Sequence, residues 1–106
     1  MSSSEDIAKK LDALWQTYLP AMMSRLAVVD LAIENLEAGC LNGELKLKAA
    51  HEAHKLAGSL GTFGLTASSA MSSRIEHLLS QPDPMHSTAA ELRTLFDSIK
   101  RDIDSK

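Results

Sequence analysis

ELKLKAAHEAHKLAGSLGTFG, residues 44–64, decides how the rest of the chain is read. At roughly 100° per residue, Leu45, Ala49, Ala53, Leu56, Leu60 and Phe63 fall on one side, the stripe of a helix packed into a core. His51, His54, Gly58 and Gly61 fall on the other. A glycine inside a helix costs about 1 kcal/mol relative to alanine, and Gly58 stands one turn after His54, on the face that packing does not need. That placement points to close approach of something to the His54 imidazole.

The flanking sequence repeats helical spacing and shows no strand pattern. Before the histidine stretch come two stripes. One is Ile7, Leu11, Leu14 and Tyr18 with Trp15 beside it; the serines that precede it can cap, and Glu5 and Asp6 suit a helix N-terminus. The other is Met22, Leu26, Val29, Ile33 and Leu36, ended by Gly39. Leu19-Pro20 separates them, because a residue before proline is biased away from helical geometry while proline itself suits the first turn of a new helix. Asn42 is placed to cap the histidine helix. After Gly64, Thr66 is a candidate cap for a helix carrying Ala67, Met71, Ile75, Leu78 and Leu79. Pro82 and Pro84 bound the next turn, with Asp83 capping and Pro84 in the first helical position, and the last helix carries Met85, Ala89, Leu92, Phe96, Ile99 and Ile103. Short connections favour up-and-down neighbours. The expectation is all-α: an antiparallel four-helix bundle with an additional N-terminal helix covering one end. A monomer is simplest, since the five stripes can satisfy one another; a stripe left uncovered would argue against it.

The 106 residues read as a single domain, residues 1–106, with the first four frayed. At 44% hydrophobic and 24% charged the chain is ordinary for a globular protein, and a net charge of -3 gives no reason to expect nucleic acid as a partner. No run approaches the ~18 apolar residues of a membrane span, and MSSSEDIAKK lacks the regions of a signal peptide. No membrane association and a cytoplasmic location are therefore expected. The single cysteine, Cys40, cannot form an intramolecular disulfide and falls in an expected loop.

His54, Leu56, Gly58 and Ser59 together resemble the motif of the histidine phosphotransfer (HPt) domain, in which a phosphorylatable histidine is followed at +2 by an apolar residue, at +4 by glycine and often at +5 by serine. Gly61-Thr62-Phe63-Gly64 looks like the corresponding run in the phosphotransfer domain of chemotaxis histidine kinases, and Glu76 falls where that subgroup places a glutamate near the histidine. The resemblance extends from about Leu14 to Ile103. One departure is Ala57, where many relatives have lysine; here Lys55 stands at +1 instead.

The resemblance implies a phosphocarrier without its own ATP-binding site, with His54 as phosphoacceptor through Nε2. Glu76 would orient the ring by accepting a hydrogen bond from the other nitrogen. An exposed imidazole, with an ordinary pKa near ~6.5, is largely neutral at neutral pH, and the neutral ring is the nucleophile. Gly58 gives a partner room to approach. Lys55, Ser59, Gly61, His51 and Met23 share the expected partner-binding face, and in relatives the apolar N-terminal region adds to it. The implied partners are response-regulator receiver domains or a hybrid histidine kinase, with no cofactor on this chain and Mg²⁺ expected on the receiver.

Other chemistry fits less well. His51-Glu52-Ala53-His54 resembles a zinc-protease signature but fails on spacing, since H-E-x-x-H needs histidines four apart. No second constellation of the di-iron kind is present, so no metal is expected. Lys48 and Lys55 are basic residues near the site, Lys55 placed to attract a receiver's acidic pocket, and Arg74 reads as a solvated charge. Two rival functions remain: a phosphoacceptor domain of a larger, chemotaxis-like kinase or signalling protein, and a docking bundle that is never phosphorylated.

Overall fold

The computed structural model describes residues 3–82 and 86–106. Among these residues there is no strand, and four helices carry the chain: α1 (Ser3–Glu37), α2 (Gly43–Thr62), α3 (Thr66–Leu79) and α4 (His86–Asp104). Each helix packs on the next, and α4 closes back on α1, giving the all-α antiparallel bundle that the apolar spacing requires. Met22, Leu26, Val29 and Ile33 of α1 meet Ala53, Leu56 and Leu60 of α2, Ile75 and Leu79 of α3, and Leu92 and Ile99 of α4 in one buried core.

Two glycines end helices by the same device. Gly39 at φ 73° lets the Cys40 N–H donate to the Asn35 carbonyl at 2.8 Å, and Gly64 at φ 79° lets the Leu65 N–H donate to the Leu60 carbonyl at 2.9 Å. Both are left-handed closures that satisfy otherwise orphaned carbonyls, and a side chain at either position would be strained. At the other end of α2, Asn42 caps as expected, its side-chain oxygen accepting from the Leu45 N–H at 2.8 Å.

Among the described residues there is no separate N-terminal helix. The expected break at Leu19-Pro20 is absent, and α1 runs unbroken for 35 residues with Pro20 inside it. Proline removes the N–H that would have bonded the Gln16 carbonyl. Both Gln16 and Pro20 lie on the exposed side of the helix, where water can take that carbonyl. The consequence is a projection rather than a cover. At ~1.5 Å per residue α1 accounts for most of the 56 Å length of the molecule. The bundle ends near Trp15, which is 3% exposed, stands edge-on to Phe63 at 5.2 Å and lies under the Lys106 ammonium at 5.0 Å. Every residue from Ser3 to Leu14 is exposed. Ile7 (58%), Leu11 (46%), Leu14 (47%) and Tyr18 (49%), expected in the core, are instead a stripe open to solvent.

α3 buries Ile75, Leu78 and Leu79 as expected, with Met71 partly buried against the core, and departs from the expected stripe only at its first turn. Thr66 begins the helix instead of capping it, with Leu65 in the cap position and no side-chain cap bond. Ala67 is exposed, and Ser68 and Ser72 are buried in its place. Ser68 and Ala67 are similarly small, so volume does not choose between them; a partner does. The Ser68 hydroxyl donates to Asp102 Oδ2 of α4 at 2.7 Å. Asp83, Pro84 and Met85, to which capping, helix-start and core roles were assigned from sequence, lie outside the described residues.

α4 is fixed to α1 by Arg93. Its guanidinium donates to Asp30 at 2.7 Å and Glu37 at 3.1 Å and lies over the Phe96 ring at 5.4 Å. Burial works against its charge, but the hydrogen bonds to Glu37 and Asp30 outweigh it and hold the pKa above the ordinary arginine value.

Candidate functional site

The α2–α3 hairpin turns about Leu65, and residues equally far from that point on the two antiparallel helices come side by side. His54 and Glu76 are each eleven residues from it. The buried stripe Ala49, Ala53, Leu56 and Leu60 fixes the rotation of α2, leaving His54 on the outer face. In α3, Ile75 and Leu79 do the same and set Glu76 at the edge of the hairpin.

His54 Nδ1 lies 3.0 Å from Glu76 Oε1. A carboxylate can only accept, so the contact requires the ring proton on Nδ1 and leaves the lone pair of Nε2 free. The histidine side chain is 69% exposed and the glutamate side chain 35% exposed. One nitrogen is therefore held and the other is accessible.

The other expected residues have differing surroundings. Gly58 is exposed, and a Cβ built on it would meet nothing within 4 Å, so the missing side chain serves no packing inside this chain. Gly61 differs: a Cβ there would come 3.3 Å from Ser69 Oγ, the hydroxyl that donates to the Ala57 carbonyl at 2.7 Å. It lets α3 approach α2 closely. His51 is exposed on the same side as His54, and Met23 is half-buried against the core. Lys55 Nζ lies 3.8 Å from Glu52, and Ser59 Oγ accepts from Arg25 at 3.3 Å.

Arg25 and Glu52 were not singled out from the sequence. Arg25 Nε lies 3.5 Å from Glu52, which therefore holds two cations, Arg25 from α1 and Lys55 from its own helix. Together with Gly58 and the apolar Leu14, Tyr18 and Phe63, these cations line a groove beside the histidine face. The available signal was angular: Arg25 falls at the flank of the Met22, Leu26 and Val29 stripe, and a charge there reaches toward the neighbouring helix. Arg74 is paired with Glu91 of α4 at 3.0 Å and takes no part in the site. Among the described residues no three metal-ligating side chains come together, and no helix is long and apolar enough to cross a membrane.

An exposed, oriented imidazole with an adjacent open backbone and a basic, partly apolar groove can accept a transferred group from a second macromolecule. Comparison with known proteins agrees with that chemistry. The chain matches the model of the Hpt domain over residues 13–104. It is similar to Protein RcaC of Microchaete diplosiphon, with 30% identity over 95 residues, covering 89% of this chain and 15% of that protein. No solved structure matches the chain significantly.

Proposed function

The chain belongs to the Hpt domain family, whose members transfer phosphoryl groups on histidine, and we propose that it is a phosphocarrier in a multistep His–Asp relay, with His54 as the residue that carries the group. In this reading the Nε2 lone pair attacks the phosphorus of an aspartyl phosphate on a receiver domain. The N–P bond forms as the P–O bond to the aspartate breaks, and the carboxylate leaves with the electron pair. The Nδ1 proton stays where it is, so the phosphorylated ring is cationic, and the Glu76 carboxylate 3.0 Å away stabilises it. Onward transfer to another receiver reverses the same step.

The observation that carries this reading is the His54–Glu76 pair with its ring exposed. Phosphoryl transfer depends mainly on positioning and charge stabilisation, so a helix presenting one oriented nucleophile suffices when the receiver supplies the rest, Mg²⁺ included. We assign no cofactor to this chain and place it in the cytoplasm with its receivers. His51, Lys55, Gly58, Ser59, Gly61 and Met23 are the contact surface, with Lys55 and Arg25 raising the association rate with an acidic receiver pocket.

The test is time-resolved transfer from a phosphorylated receiver to the wild-type chain and to His54→Gln, followed by acid treatment. Acid-labile label on wild type alone is expected. Label that persists in the variant would move the acceptor to His51, and no label on wild type from any receiver sampled would leave the kinase-substrate and docking readings. A second reading, a phosphoacceptor domain of a larger kinase or signalling protein, is favoured by one fact: the chain spans only 15% of the length of its curated relative. Phosphorylation by an ATP-loaded kinase core, without transfer from any receiver, would select it.

A further inference from the structure

The stripe Ile7, Leu11, Leu14 and Tyr18 has no cover among the described residues. Its first two members precede residue 13, where the family match begins. Intervals of four, three and four residues are the seam of a two-stranded coiled coil, which buries a and d positions against a second helix of the same pattern. α1 is helical from Ser3, twelve residues before Trp15 and the end of the bundle, and an amphipathic helix draws most of its stability from packing its apolar face.

We infer that the cover is a second copy of this chain, paired antiparallel along the projecting half of α1. Alternating a and d layers then set Leu11 against Leu14 of the partner copy and Ile7 against its Tyr18, so that all four residues are used. The charges choose the direction. The first turn of α1 is acidic, with Glu5 and Asp6. Antiparallel pairing carries that turn past Tyr18 of the other copy toward the groove edged by Arg25 and Lys55. Parallel pairing would instead align the two helix dipoles with their like ends at one level.

The area also fits. Ser3 to Tyr18 gives about 24 Å of seam. Pairing two helices about 10 Å wide over that length buries on the order of 1,000 Å² in total, the lower edge for a specific interface. The dimer is therefore reversible. On the phosphocarrier reading, which this inference does not need, the second copy lies over the groove beside His54 and competes with the receiver.

Sedimentation of the full chain from low micromolar to about millimolar concentration tests the pairing without any phosphoryl transfer. Its outcome is thus independent of the relay assay. The average mass of wild type is expected to rise toward twice that of one chain, and Leu11→Glu to remain at one chain throughout. To fix direction, Ile7→Cys and Tyr18→Cys chains are mixed in a Cys40→Ser background. Antiparallel pairing crosslinks the mixture faster than either variant alone. A wild type that stays at one chain, or that sediments like Leu11→Glu, overturns the inference and leaves the stripe to a different protein. Faster crosslinking of each variant with itself overturns the antiparallel arrangement.

Discussion

Among the polar contacts between neighbouring helices of this bundle, two are built differently. Between α4 and α1, Arg93 is held by three groups, Asp30, Glu37 and the face of Phe96, with 28% of its side chain exposed. Between α2 and α3, His54 has one partner, keeps one ring nitrogen unengaged and is 69% exposed. A cation already matched by two carboxylates of its own chain has little charge left to offer a ligand and serves to hold the helices. A half-saturated contact at the surface is oriented by its single bond and available through its other end.

The largest effect should come from removing the available nitrogen. His54→Gln is expected to reduce phosphoryl acceptance to background while changing stability by no more than about 0.5 kcal/mol, as befits an exposed position. Urea unfolding alongside the transfer assay checks both. Arg93→Ala should do the reverse, lowering stability by about 2 kcal/mol through the loss of two charge-assisted hydrogen bonds and the contact with Phe96, with transfer retained. Arg93→Lys should recover only part of it, because a single ammonium cannot span two carboxylates and lie flat over a ring. Equal transfer loss in Arg93→Ala and His54→Gln would break the distinction between the two contacts.

A smaller effect separates orientation from charge at the site. In Glu76→Gln the amide oxygen can still accept from His54 Nδ1, but the charge facing the phosphorylated ring is gone. Transfer should slow about tenfold, the lower end of what second-sphere partners of a histidine contribute. Glu76→Ala, which also frees the ring, should slow it further, and stability should move little in either. Single-turnover kinetics distinguish the two variants. Identical rates for Gln and Ala would mean that the carboxylate acts through charge alone.

Most of the bundle was legible in the sequence because burial imposes a period: Met22, Leu26, Val29 and Ile33 could face only one way. The His54–Glu76 pair was legible from spacing and resemblance, and the hairpin symmetry about Leu65 explains why that spacing works. What the period could not decide were choices made by surroundings. Continuation through Pro20 depends on the Gln16 carbonyl facing water. The burial of Ser68 instead of Ala67 in the first turn of α3 goes with Asp102, a residue 34 positions away, accepting from Ser68. Arg25 joined the site only because α1 lies along α2. The uncovered stripe from Ile7 to Tyr18 has the same spacing as a core stripe, and sequence periodicity alone does not distinguish burial within a chain from burial between chains.

Ser72 adds a further case to the comparison of contacts: a buried polar group without a partner among the described residues. It is 1% exposed, and its hydroxyl has no hydrogen bond to any of them, whereas Ser68, one turn earlier on the same face, reaches Asp102 at 2.7 Å. A buried hydroxyl left unpaired gives up its bonds to water and gains none, a penalty of about 1–3 kcal/mol. Alanine removes that penalty along with one heavy atom, leaving a void too small to matter much, and has the better helix propensity. Ser72→Ala should therefore raise stability by about 1 kcal/mol, read as a higher urea midpoint with an unchanged slope, while Ser68→Ala should lower it by a similar amount. Opposite signs from two serines one turn apart would show that what a contact contributes here is set by whether it is satisfied, and loss of stability in both would mean that the Ser72 hydroxyl finds a partner in solution.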